Sequence, residues 1–83
     1  MAEDIAERVK KVVSEILKVD PASIEPEHRF VQDLGAASIQ SIELVAAFED
    51  EFDIEMDPDE ALSVQTVGGA VDFIGKAVEA QHG

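Results

Sequence analysis

The chain has 83 residues, which suffices for one compact domain around a single core, and it contains no cysteine. Length and composition together exclude a catalytic cleft between two domains, a disulfide scaffold and a thiolate metal site. The 19 acidic and 6 basic residues give a formal net charge of −13, so the protein should repel nucleic acids and anionic lipids and attract partners with basic surfaces.

The first predicted element is an amphipathic helix from Glu3 to Lys18. Asp4 near its start and Lys18 at its end complement the helix dipole. The helix should end before Pro21, because the residue before a proline disfavours helical backbone. Apolar side chains recur along it at spacings of three and four: Ile5, Val9, Val12, Val13, Ile16 and Leu17.

The N-terminal segment lacks the basic and then apolar pattern of a signal peptide. No apolar run approaches the roughly 20 residues that a membrane-spanning helix needs. We therefore expect a cytoplasmic protein without membrane insertion.

A long connection follows, from Asp20 to Ala37, in which prolines and a glycine interrupt any helical period. Connections of this length are uncommon in compact domains and are usually functional when they occur. Four apolar side chains should pin it to the core: Ile24, Phe30, Val31 and Leu34.

Ser38 is expected to cap a second helix that extends to about Phe52. Apolar side chains lie on two faces of this helix, which predicts burial on more than one side. One stripe along the helix, which Leu44 and Phe48 join, comprises Ile39, Ile42, Val45, Ala46, Glu49 and Phe52.

Two further helices complete the prediction. Asp57 caps a short helix that begins at Pro58 and extends through Leu62, since proline is favoured at the first helical position. Thr66 caps a last helix, after which residues 81–83 should fray. The expected fold is an all-α bundle, with three main helices, one short helix and a long first loop, forming a single domain over residues 1–83.

The sequence contains no complete catalytic or metal-binding motif. The alternating carboxylates that begin at Asp53 lack the glycine and the glutamate of a calcium loop, because Pro58 and Val64 occupy those positions. The two histidines are far apart in sequence, so we expect no catalytic group and no metal site. Ser38 remains as a candidate, because a helix N-terminus favours a phosphate attached there.

The sequence around Ser38 resembles the acyl carrier protein family. In that family an Asp-Leu-Gly-Ala stretch precedes an Asp-Ser-Leu motif whose serine receives 4′-phosphopantetheine from coenzyme A. The resemblance covers nearly the whole chain. The residues that match it most closely form three segments: Phe30–Ile39 (FVQDLGAASI), 42–45 (IELV) and 48–52 (FEDEF).

The resemblance implies a carrier that is not an enzyme and that holds acyl intermediates of fatty acid or specialised lipid biosynthesis as thioesters on an arm attached to Ser38. It implies a monomer whose partners are a phosphopantetheinyl transferase and acyl-transferring and chain-elongating enzymes with basic docking patches. The implied partner-binding residues are Asp33, Glu43, Glu49 and Asp50. The implied acyl-chain pocket consists of Leu44, Val45, Phe48, Ile54, Leu62, Ala70, Val71 and Ile74.

One departure from the family motif bears on loading: Ala37 stands where the family has aspartate, and Ile39 replaces leucine. The change removes a carboxylate beside the modified serine. We therefore predict a specialised carrier, loaded by a broad-specificity transferase and serving a pathway other than bulk fatty acid synthesis.

Two alternatives stay open at this point. The chain could carry polyketide, aminoacyl or peptidyl intermediates on the same serine. It could also be an acidic interaction module that never receives an arm, in which case replacing Ser38 with alanine would leave its function intact.

Overall fold

Residues 5–82, which the computed structural model describes, contain four α-helices and no β-strand. The predicted all-α bundle of three main helices and one short helix is therefore confirmed. The predicted helix start, with Glu3 and Asp4, and the terminal Gly83 lie outside the described residues. The helices are α1 (Ile5–Leu17), α2 (Ser38–Phe52), α3 (Pro58–Ser63) and α4 (Val67–His82), with one turn of 3-10 helix at Pro21–Ser23.

The helices surround a core of aliphatic and phenylalanine side chains. Helix α1 packs against both α2 and α4, while α3 packs against α2. The most deeply buried side chains come from α1, α4 and the first loop: Val9, Val13, Val67, Ile74 and Ile24. Helix α2 adds Leu44, Phe48 and Phe52.

The N-terminal starts of α3 and α4 are capped as the sequence predicts. The Asp57 side chain accepts a hydrogen bond from the N–H of Asp59 at 2.9 Å, and Pro58 occupies the first helical position. Thr66 Oγ1 accepts from the N–H of Gly69 at 3.0 Å. A residue with positive φ, Asp53 at 54°, ends α2. These local interactions explain why the sequence predicted the helix boundaries closely.

The first loop is anchored by Ile24 and Phe30, which are buried, and by Leu34, which is half-buried. Val31, however, is 59 % exposed, so its prediction as an anchor was wrong. Residues 29–34 form a turn in which Leu34 N–H donates to the Arg29 carbonyl, so positions 30 and 34 share the inward side and position 31 does not.

The loop is fastened to the start of α4 by backbone hydrogen bonds. The N–H of Phe30 donates to the Gln65 carbonyl at 2.9 Å, and the N–H of Val67 donates to the His28 carbonyl at 3.0 Å. The loop therefore sits in a fixed position when it reaches Ser38.

The prediction that α2 is buried on more than one side was wrong. Leu44, Phe48 and Phe52 lie four residues apart on its single buried face. Ile39 is 64 % exposed and Ile42 is 55 % exposed, because no other element within residues 5–82 covers their side of the helix.

Arg8 ties the end of α2 to α1. Its Nε lies 2.9 Å from Glu51 Oε2, a second guanidinium nitrogen donates to the Glu51 carbonyl at 2.6 Å, and its guanidinium lies 4.4 Å from the centre of the Phe52 ring. Both charged side chains are partly shielded from water, which strengthens the pair relative to an exposed one. The interaction fixes the orientation of the C-terminal end of α2 relative to α1.

The prediction that the C-terminal residues fray was wrong for Gln81 and His82. Both belong to α4 and form hydrogen bonds to residues that follow α2. Along the described chain, none of the helices combines the length and hydropathy that crossing a bilayer requires.

Candidate functional site

Ser38 is the first residue of α2 and is exposed. Its predicted role as the helix cap was wrong, because Ala37 holds the capping position with extended backbone (φ −80°, ψ 164°). Gln40 Oε1 accepts the N–H of Ala37 at 2.9 Å and so takes over part of the capping chemistry. The Ser38 hydroxyl is therefore not needed to cap the helix.

The surroundings of Ser38 fit a phosphate. The first turn of any helix leaves backbone N–H groups without intrahelical acceptors, and the helix dipole adds partial positive charge there. The first turn of α2 contains no acidic residue. A phosphodiester on the Ser38 hydroxyl would thus face N–H donors and no competing carboxylate on that turn.

A cavity of about 320 Å³ lies between α2, α3, α4 and the first loop. Ser41, Leu44, Val45 and Phe48 line it at successive turns on one face of α2. Ser41 follows Ser38 by one turn, so Ser38 lies one turn before the first α2 residue of the lining. From Ser41 to Phe48 the helix extends about 10 Å, which gives the cavity its length along α2.

Apolar side chains dominate the lining, and three polar ones accompany them. Val31 and Leu62 line the cavity while remaining 59 % and 45 % exposed, so they form part of its rim. The polar side chains are Gln32, Ser41 and Gln65. The remaining lining residues are Phe30, Met56, Ala61, Val64, Ala70, Phe73 and Ile74.

Six of the eight residues assigned to an acyl-chain pocket meet at this cavity: Leu44, Val45, Phe48, Leu62, Ala70 and Ile74. Ile54 and Val71 do not line it. Val71 lies about 100° around α4 from Ala70 and packs against the core elsewhere. Ile54 is buried in the core, and Met56, two residues later, lines the cavity instead.

Sequence reasoning missed Phe30, Met56 and Phe73 as cavity residues. Phe73 could have been found, because it lies three residues after Ala70 on the same face of α4. Met56 could not be separated from Ile54, since both are apolar and both are buried in the segment after α2.

The acidic residues assigned to partner binding differ in availability. Glu43 and Asp50 are exposed on α2. Glu49 is half-buried, and its Oε2 accepts the N–H of Met56 at 2.9 Å. Asp33 Oδ2 accepts the N–H of Arg29 at 2.7 Å. Glu43 and Asp50 are therefore open to partners, whereas Glu49 and Asp33 already hold local structure.

Comparison with known proteins agrees with this arrangement. A family model described as "Phosphopantetheine attachment site" matches residues 7–74. The chain is 54% identical over 71 residues to an acyl carrier protein of Caulobacter vibrioides, covering 86% of this chain and 91% of the relative. It is 53% identical over 74 residues to an acyl carrier protein of Sinorhizobium fredii, covering 89% and 95%.

A similar protein from Phenylobacterium zucineum, also named acyl carrier protein, is 52% identical over 71 residues, with 86% of this chain and 90% of the relative covered. The family match spans the long first loop, Ser38 and all of the cavity lining. The chain therefore belongs to the acyl carrier protein family: it is a carrier with a phosphopantetheine attachment site and not an enzyme.

Proposed function

We propose that the protein carries acyl intermediates of fatty acid or specialised lipid biosynthesis as thioesters on a 4′-phosphopantetheine arm attached to Ser38, and that it delivers them to partner enzymes. The observation that carries the proposal is the exposed Ser38 hydroxyl at the N-terminus of α2, one turn before the apolar cavity begins. An arm that starts there can place an attached chain in the cavity or extend it to a partner.

The lining of the cavity favours aliphatic cargo over aminoacyl or peptidyl cargo. Most lining side chains are aliphatic or phenylalanine, and burial of a methylene among them contributes about 0.8 kcal/mol. A peptidyl group would leave buried polar atoms with few partners there. The proposed monomer follows from the net charge of −13, since like-charged copies repel one another. We also propose a cytoplasmic location.

Natural cargo can be identified directly. The protein isolated from its own cells would be examined by intact-protein mass spectrometry before and after hydroxylamine, which cleaves thioesters. We expect an arm with an aliphatic acyl group that hydroxylamine releases. Aminoacyl or peptidyl cargo would favour the alternative carrier class, and the absence of an arm would favour the interaction module.

Loading without the family aspartate is the second part of the proposal. Ala37 leaves no carboxylate next to Ser38, so we propose that a transferase of broad specificity attaches the arm. Modification of the native chain at the normal rate by an ordinary holo-carrier synthase would remove the basis for this part.

Arm attachment should stabilise the fold. The negative phosphodiester on Ser38 would compensate the positive end of the α2 dipole, adding about 0.3–1 kcal/mol to the free energy of unfolding at low ionic strength. Thermal unfolding of the apo and holo forms at low and high salt measures this. The apo variant Ala37→Asp serves as a control that should reproduce part of the gain, and an apo form as stable as the holo form at low salt would contradict the prediction.

Charge reversal on α2 should slow delivery. Glu43 and Asp50 are exposed, and Ile39 and Ile42 give the same side of α2 apolar contact area. The double variant Glu43→Lys/Asp50→Lys should lower kcat/KM of a partner enzyme about tenfold at low salt, because complementary charge speeds encounter.

The loss should shrink as salt rises, since salt screens exposed charges. The matched control is Glu79→Lys on α4, which is equally a reversal of an exposed carboxylate but lies on another helix. Equal rates for the double variant and the native carrier at low salt would refute docking on α2.

A further inference from the structure

The end of α4 is fastened to the segment between α2 and α3, residues 53–57, which we name the α2–α3 loop. Gln81 uses both ends of its side-chain amide: Oε1 accepts the N–H of Glu55 and Nε2 donates to the carbonyl of Glu55, each at 2.8 Å. His82 Nε2 donates to the carbonyl of Asp53 at 2.6 Å. The end of α4 thus holds the loop from outside.

The same loop is held from α2. Glu49 Oε2 accepts the N–H of Met56 at 2.9 Å, and the Glu49 carbonyl accepts the N–H of Ile54 at 3.1 Å. Within residues 5–82 no strand pairs with this loop, so groups on α2 and α4 satisfy its backbone instead.

The loop alternates between inward and outward side chains, as extended backbone does. Ile54 is 5 % exposed and Met56 is 9 % exposed, whereas Glu55 between them is exposed. Gln81 therefore forms hydrogen bonds to the outward-facing residue of this segment, whereas the residues on either side of it are buried in the core. These hydrogen bonds to Glu55 hold the position of the backbone next to Met56.

The backbone of Met56 lies beside the C-terminal part of α2, away from Ser38. It lines the cavity, and its N–H bonds to Glu49, which directly follows the last lining residue of α2, Phe48. An acyl chain that enters beside Ser38 therefore meets Met56 only after it has passed along α2.

We propose that Gln81 is a positioning residue for bound cargo: by clamping Glu55 it holds Met56 against the end of a long acyl chain and keeps the cavity closed around it. The inference rests on the proposed function, since it requires an acyl chain in the cavity. A short acyl group remains near the entrance and does not reach Met56. Only long chains should depend on the clamp.

The test compares the native carrier with Gln81→Ala and with Glu79→Ala. Glu79 is exposed on the same helix, and the hydrogen bonds that join α4 to the loop come from Gln81 and His82 instead. Each protein would be loaded with an acetyl or a decanoyl arm, and the rate of thioester cleavage by hydroxylamine would be measured. Hydrogen exchange of the Glu55 amide in each apo protein, relative to the Leu44 amide, reports the clamp independently of cargo.

For Gln81→Ala we expect the Glu55 amide to exchange about tenfold faster and the decanoyl thioester to be cleaved about tenfold faster, because two hydrogen bonds are lost. The acetyl thioester should be cleaved at the native rate, and Glu79→Ala should match the native carrier throughout. Native-rate cleavage of the decanoyl form of Gln81→Ala would overturn the inference. Equal acceleration of both thioesters would also overturn it, since it would indicate a general loss of stability.

Failure of the proposed function gives a different result. The native carrier would then protect decanoyl no better than acetyl, and both the shelter and the role of Gln81 would be rejected. If only the inference fails, the native carrier protects decanoyl and Gln81→Ala protects it equally well.

Discussion

Replacing Ser38 with alanine should abolish acyl loading completely while leaving the fold intact. The side chain is exposed and does not cap α2, because Ala37 and Gln40 supply the capping interaction. Alanine also favours helix more than serine does, so the free energy of unfolding should change by no more than about 0.5 kcal/mol. Incubation of the variant with a phosphopantetheinyl transferase and acyl-coenzyme A, which would deliver the arm together with its acyl group, followed by intact-protein mass spectrometry, measures the loss.

The matched control is Ser41→Ala, one turn further along α2. Its hydroxyl lines the cavity and lies only 3.4 Å from the Ala37 carbonyl, but it is not the proposed attachment site. This variant should be loaded like the native chain. A Ser38→Ala protein that still accepts acyl groups would show that the arm is attached to another residue. A variant that performs every function without an arm would favour the interaction module.

Filling the cavity should remove shelter for long acyl chains. Ala70 is 5 % exposed and lines the cavity from α4, so Ala70→Leu places a larger side chain in the space that the cargo would occupy. If the acyl chain loses burial of about four methylenes, at about 0.8 kcal/mol each, its binding in the cavity weakens by about 3 kcal/mol. The ratio of buried to exposed chain then falls roughly a hundredfold. The rate at which hydroxylamine cleaves the decanoyl thioester should rise accordingly.

The same substitution at Ala80, which is exposed on α4, is the control for added apolar volume. It should leave the cleavage rate unchanged. Ala70→Leu must also remain folded, as measured by circular dichroism, because overfilling a core can cost about 1–3 kcal/mol. A folded Ala70→Leu carrier that protects decanoyl as well as the native one would show that the chain binds elsewhere.

Local chemistry made much of the fold predictable. The starts of α3 and α4 follow from the capping residues Asp57 and Thr66 and from Pro58, all of which act within a few positions. Helical spacing likewise identified Leu44, Phe48 and Ile74 as buried residues. These features depend on neighbours in sequence, which a single chain displays directly.

Properties set by distant contacts could not be predicted in the same way. Ile39 and Ile42 are as apolar as buried residues, and only the positions of the other helices leave them exposed. Glu49 was grouped with docking carboxylates, yet it bonds to Met56 seven residues later. Gln81 was assigned to a fraying tail and instead clamps Glu55, 26 residues earlier. Tertiary arrangement decides each case.

Direct mapping of the arm on the native chain tests the central claim. The protein would be incubated with coenzyme A and a broad-specificity phosphopantetheinyl transferase, digested, and analysed by peptide mass spectrometry. We predict one 4′-phosphopantetheine, located on Ser38. An arm on another serine, such as Ser41 or Ser63, or no arm on folded protein while a control carrier is modified under the same conditions, would contradict the claim.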